Sequence, residues 1–100
     1  MTKTRTGRIY RATQCSTGCV YIGQTINAFE RRIYEHLHQK HKYKLQKLLC
    51  ENPDDFIWEI LEDNILEEKL DEREQYYFDL EVTLHGREKV LNTNDNVSSP

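Results

Sequence analysis

No apolar run in this 100-residue chain approaches the ~20 residues needed to span a bilayer. The N-terminus is polar and basic, without the apolar stretch of a secretory signal behind it. The expected setting is therefore cytoplasmic, with no membrane partner. Cysteine is sparse and odd in number: Cys15, Cys19 and Cys50. Without a secretory signal, that count argues for reduced thiols rather than a disulfide framework. Cys15 and Cys19 bracket a turn, but no second Cys/His pair stands at finger-like spacing, so a structural zinc site is not expected. Internal repeats and low-complexity domains are missing as well.

What remains is enough for one packed domain. Hydrophobic residues make up 37% and charged residues 31%, too much apolar content for a disordered chain. The net charge of −3 argues at first sight against a polyanionic partner, but its distribution reverses that. Residues 1–47 hold ten Lys/Arg against Glu30 and Glu35, a net of +8; residues 48–100 hold four against fifteen acids, a net of −11. One basic and one acidic face are expected. Lys40, Lys42, Lys44 and Lys47 would form part of a phosphate-tracking strip. His38 and His41 read as surface residues or as further contacts to nucleic acid.

Residues 1–6 are expected to fray, 7–92 to form the single domain, and 93–100 to be a polar tail. Ile9, Tyr10 and Ala12 lie in one β-type run and Val20, Tyr21 and Ile22 in the next, around a Gly-containing loop: a hairpin. Closed symmetrically about residues 15 and 16, it sets Tyr10 opposite Tyr21 on one face, with Ile9, Val20 and Ile22 on the other. Asn27 and Glu30 form a helix-start signature, followed by an apolar stripe of Phe29, Ile33 and Leu37. Arg32 and His36, four apart, flank that stripe and reach one region of space. A shorter helix ends near Cys50. Phe56–Glu62 is the strongest strand, with Phe56, Trp58 and Ile60 on one face. Asn64 to Glu67 repeats the helix-start signature and opens a third helix whose inward stripe is Leu66, Leu70, Tyr77 and Leu80. Glu74 falls within that stripe, where a carboxylate is costly unless paired or bound to a metal. The order is β-β-α-α-β-α: an α+β fold, a small antiparallel three-stranded sheet flanked by helices.

The polar groups that can converge are Tyr10, Tyr21, Arg32, His36 and Glu74, with Asn92 possible by position. Phosphodiester hydrolysis needs charge stabilisation on the phosphoryl oxygens, an oriented water and help for the leaving group. An arginine fork suits the phosphate, and one carboxylate suits a Mg²⁺ ion that keeps most of its waters. Arg8-Ile9-Tyr10, then Tyr21-Ile22-Gly23-Gln24-Thr25, then Arg32 and His36, then Glu74, resembles the GIY-YIG nuclease superfamily. Phe56–Glu62 followed by Glu72-Arg73-Glu74 is most like its phage homing-endonuclease branch. Arg8 stands where the family usually has glycine, with Gly7 one place earlier, which puts the local strand geometry in question.

The resemblance implies a metal-dependent DNA endonuclease using Mg²⁺ or Mn²⁺. Tyr10, Tyr21, Arg32, His36 and Glu74 would be catalytic, and Glu74 the metal ligand. Arg32 is a better match than Arg31, because it stands four before His36. Gly23 would allow close backbone approach to the substrate, and Asn92, Lys40, Lys42 and Lys44 would complete its binding. Tyr10 would orient or deprotonate the attacking water, aided by His36 or Tyr21. The setting would be a bacterial or phage-infected cell. Specificity would come from the core, a second copy of the chain or a targeting partner, or would be absent. The rival reading is a nucleic-acid-binding module without catalysis, for which Glu74 has no chemical need.

Overall fold

Neighbouring side chains on a strand point to opposite faces, so two adjacent buried residues mark a strand covered on both sides. Ile9 and Tyr10 are such a pair, both at 0% exposure. They lie in β1 (Thr6–Gln14), the central strand of the sheet. β2 (Val20–Thr25) pairs with one edge and β3 (Phe56–Leu66) with the other, both antiparallel. The helices are α1 (Phe29–His38), α2 (Lys44–Glu51) and α3 (Leu70–His85). The fold is the expected α+β arrangement in the expected order. This computed structural model describes residues 5–38 and 44–92, apart from the side chains of Lys44 and Gln46. Residues 1–4, Lys40, His41, Lys42 and the expected tail at 93–100 lie outside the described residues.

The sheet separates two cores. Ala12, Phe56 and Leu91 pack with Leu45 and Leu49 of α2 on the face that carries Tyr10. Ile9, Ile22 and Ile65 pack with Leu70 of α3 on the other, continued by Val20, Phe78 and Val90. Each Leu, Ile, Val or Phe side chain among them contributes about 1.5–3 kcal/mol when fully buried. After α3, Val90 bridges to Val20, Leu91 N–H donates to the Val20 carbonyl, and the chain runs along the outer edge of β2.

Four local expectations are corrected. The hairpin closes one position later, so Tyr10 faces Gly23 and Ala12 faces Tyr21. Gly18, at φ 76, turns the chain within a loop closed by Gln14 N–H donating to the Cys19 carbonyl. The pairing shifts by two residues, which leaves every side chain on its expected face. Asn64 opens no helix: it takes φ 55 inside β3, a conformation asparagine tolerates, and α3 starts six residues later at Leu70. The buried stripe of α3 is Leu70, Glu74, Phe78 and Glu81, while Leu66 and Leu80 are exposed. On α1 the buried side chain is His36 and Leu37 is exposed, because the helix turns its polar pair to the sheet. At Gly7 and Arg8 the β1–β3 ladder is irregular, and a Cβ on Gly7 would lie 2.6 Å from the Thr25 carbonyl oxygen. Arg8 points away to pair with Asp63 at 3.1 Å, so its side chain fits beside the bulge.

Candidate active site

Tyr10 is held at the centre of the site by missing bulk opposite it. A Cβ on Gly23 would lie 2.3 Å from the Tyr10 hydroxyl, so any side chain there would occupy the phenol's place. The Tyr10 ring lies among Tyr21, Phe29, His36 and Trp58, with centroids 5.7–6.3 Å away. Its hydroxyl is 2.6 Å from His36 Nε2 and accepts a hydrogen bond from Arg32 Nε at 3.2 Å. The one-turn spacing of Arg32 and His36 on α1 therefore brings both to a single oxygen. Burial first, and the Arg32 charge second, push His36 down to about 3. At neutral pH its ring is uncharged, and in the tautomer that carries its proton on Nδ1 the Nε2 atom accepts the hydrogen bond that Tyr10 donates. Burial likewise pushes the Tyr10 phenol above its ordinary value, more than Arg32 pulls it down. Tyr10 at rest is a neutral phenol.

Glu74 lies on α3, against the opposite face of the sheet, and is within electrostatic range of Tyr10 and Arg32. It is 5% exposed, and its Oε2 accepts from Gln24 Nε2 at 3.4 Å. Burial is the main reason its carboxyl is pushed up to about 7; Asp71 raises it further, while Gln24 and Arg32 work the other way. Glu74 in turn acts electrostatically on Tyr10. Such a carboxylate is short of positive charge. Among the described residues no three His, Cys, Asp or Glu side chains cluster as a metal cage. Mg²⁺ does not require one: it binds through one or two carboxylates plus water and substrate oxygens. Glu74, with Asp71 one turn before it, fits that requirement.

A family profile described as the GIY-YIG catalytic domain matches residues 6–87. The chain belongs to the GIY-YIG family. Its structure is similar to a mutant of the catalytic domain of intron endonuclease I-TevI, with a TM-score of 0.70 and 23% identity over 94% of this chain and 99% of that one. No curated protein sequence matches it. The GIY-YIG fold is a nuclease domain, generally metal-dependent and acting on DNA. No described helix is long and apolar enough to cross a membrane.

Of the residues singled out in the sequence, this GIY-YIG domain gathers Tyr10, Tyr21, Gly23, Arg32, His36 and Glu74. Tyr21 stands edge-on to His36 at 5.4 Å. Asn92 is 9% exposed and is engaged by the backbone of β2: its Oδ1 accepts from Ile22 N–H at 3.0 Å and its Nδ2 donates to the Ile22 carbonyl at 2.8 Å. It steadies the strand between Tyr21 and Gly23. Lys44 opens α2, and Lys47 on the same helix is exposed. His38 stacks on Tyr34 at 4.0 Å on the exposed side of α1. Arg31 is exposed, whereas Arg32 meets Tyr10.

Three neighbours were not singled out: Trp58, Gln24 and Asp71. Trp58 enters the aromatic wall through the β1–β3 register, opposite Ala12, which no local pattern announces. Gln24 carried a signal, since it directly follows Gly23 in the motif. The cysteines are free thiols, with Cys15 and Cys50 exposed.

Proposed function

We propose that this GIY-YIG domain is a metal-dependent DNA endonuclease whose chemistry is done by Tyr10, Tyr21, Arg32, His36 and Glu74. The observation that carries the reading is the Tyr10 hydroxyl, held between an uncharged imidazole and a guanidinium. Because the phenol is neutral at rest, it becomes a base only as its proton leaves. Tyr10 gives that proton to His36 Nε2 and takes one from the attacking water, so the phenol is restored and the imidazolium holds the proton. The negative phosphodiester favours this transfer by stabilising the charged ring. Arg32 steadies the transient phenolate through Nε and, with Nη1 facing Glu35 at 3.5 Å, offers Nη2 to the phosphoryl oxygens. Tyr21 packs against His36 and fixes the plane of its ring.

Glu74, with Asp71 near it, would hold Mg²⁺ or Mn²⁺, which supplies charge stabilisation on the phosphate and the leaving oxygen. Lys40, Lys42, Lys44 and Lys47 would track the phosphate backbone, and Gly23 serves the site by leaving room for the Tyr10 phenol. Asn92 serves substrate binding by steadying β2. The test is plasmid cleavage in Mg²⁺. Glu74→Gln and Arg32→Ala should each lower the rate at least ~100-fold, the scale of losing one preorganised charge-stabilising group. Undiminished cutting by both variants would sink the scheme. DNA retained in filter binding without strand cleavage in Mg²⁺ or Mn²⁺ would leave a binding module instead.

A further inference from the structure

Gln24 sits one residue past Gly23 on β2, on the face turned towards α3. Its Nε2 donates to Asp71 Oδ1 at 2.7 Å and to Glu74 Oε2 at 3.4 Å. An amide nitrogen carries two N–H groups, and both are directed at carboxylates. Asp71 and Glu74 stand three apart on α3, so they share one side of the helix and their like charges oppose each other. The partially positive amide hydrogens between them offset that repulsion. They also tie one oxygen of the long Glu74 side chain to β2, within electrostatic range of Tyr10.

We infer that Gln24 is a positioning residue: by bridging Asp71 and Glu74 it sets the orientation of the Glu74 carboxylate, and with it the affinity of the site for a divalent cation. The inference rests on Glu74 being the cation ligand. Groups that orient a metal ligand characteristically change metal affinity by about 10–100-fold when removed. A mere tie between β2 and α3 would instead lower stability and leave affinity unchanged.

Calorimetric titration of Mn²⁺ into the full chain, wild type against Gln24→Leu, separates the two. The variant should bind Mn²⁺ at least ~10-fold more weakly, and plasmid cleavage should need correspondingly more Mn²⁺ while regaining most of its rate at saturation. Gln24→Ser, which leaves space rather than bulk, is the second variant if leucine prevents folding, with circular dichroism as the check. Unchanged Mn²⁺ affinity in a folded variant overturns the inference. So does a cleavage defect that saturating Mn²⁺ fails to relieve. A wild type that neither binds Mn²⁺ nor cuts overturns the reading of Glu74 beneath it, a result distinct from those two.

Discussion

Gly23 is the residue on which the geometry of the site turns. Tyr10 can lie across β2 because the strand has no side chain there. Gly23→Ala should displace the phenol from His36 and Arg32, costing about 1–3 kcal/mol of stability as an overpacked site and most of the cleavage rate. Urea unfolding alongside plasmid cleavage checks both. Glu74 gives a prediction of opposite character, because burial has raised its carboxyl from 4.5 to about 7. A group whose folded value is raised contributes stability that is fully present below its unfolded value and is lost as pH rises through the folded one. In the metal-free protein this contribution should fade between about pH 4.5 and 7. His36, lowered from 6.5 to about 3, works the other way: its contribution is present above pH 6.5 and lost as pH falls. The decisive quantity is therefore the difference between wild type and Glu74→Gln, both carrying His36. In urea titrations with chelator, wild type should lose ground to the variant as pH rises from 4.5 to 8. A constant gap would refute the buried, cation-poor description of Glu74.

At the scale of elements, β1, β3 and α3 are joined by an ion cluster. Arg11 contacts Glu59 and Glu81, each at 2.5 Å, and Glu81 is 3% exposed. Among the described residues Glu81 Oε2 has no hydrogen-bond partner, and His85 Nε2 lies 3.4 Å from it. Removing the arginine would strand a buried carboxylate, so Arg11→Met should cost about 3–5 kcal/mol. Arg11→Met combined with Glu81→Leu should recover much of that loss, measured by denaturant unfolding. The cluster also accounts for the misread stripe of α3. Two of its four buried positions, Glu74 and Glu81, are acids, so apolar periodicity cannot reveal the buried face. The α1 stripe misleads for a related reason: His36 is buried because of Tyr10, a residue twenty-six positions away. Strand β3, the two-helix stretch and the hairpin were legible because their signals are local. The start of α3 was not, because Asn64 satisfies a helix-cap pattern and a left-handed strand position equally well.

For the whole molecule, the charge partition is less complete than a count of residues implies. Arg8 pairs with Asp63, and Arg11 with Glu59 and Glu81, so two cations of the basic half face acids of the acidic half. Neither pair offers the arginine as a free phosphate contact. Lys47, exposed on α2, has no such tie among the described ion pairs. Lys47→Ala should weaken DNA binding uniformly across sequences and reduce the slope of log affinity against log salt by about one. Unaltered slope in filter binding across a salt series would remove Lys47 from the DNA contact.

The sequence by itself determined the element order, the two faces of the hairpin, and the residue types of the site, because side-chain alternation and helical spacing are properties of neighbours along the chain. Tertiary structure decided which atoms meet. The Tyr10 hydroxyl finds His36 and Arg32, Trp58 joins the wall, and Gln24 reaches Asp71 and Glu74, through a register and a helix packing that bring together residues twenty to fifty positions apart. Burial then set the charge states, leaving His36 uncharged and the Glu74 carboxyl raised to about 7, because the cost of a charge depends on what surrounds it rather than on its place in the chain.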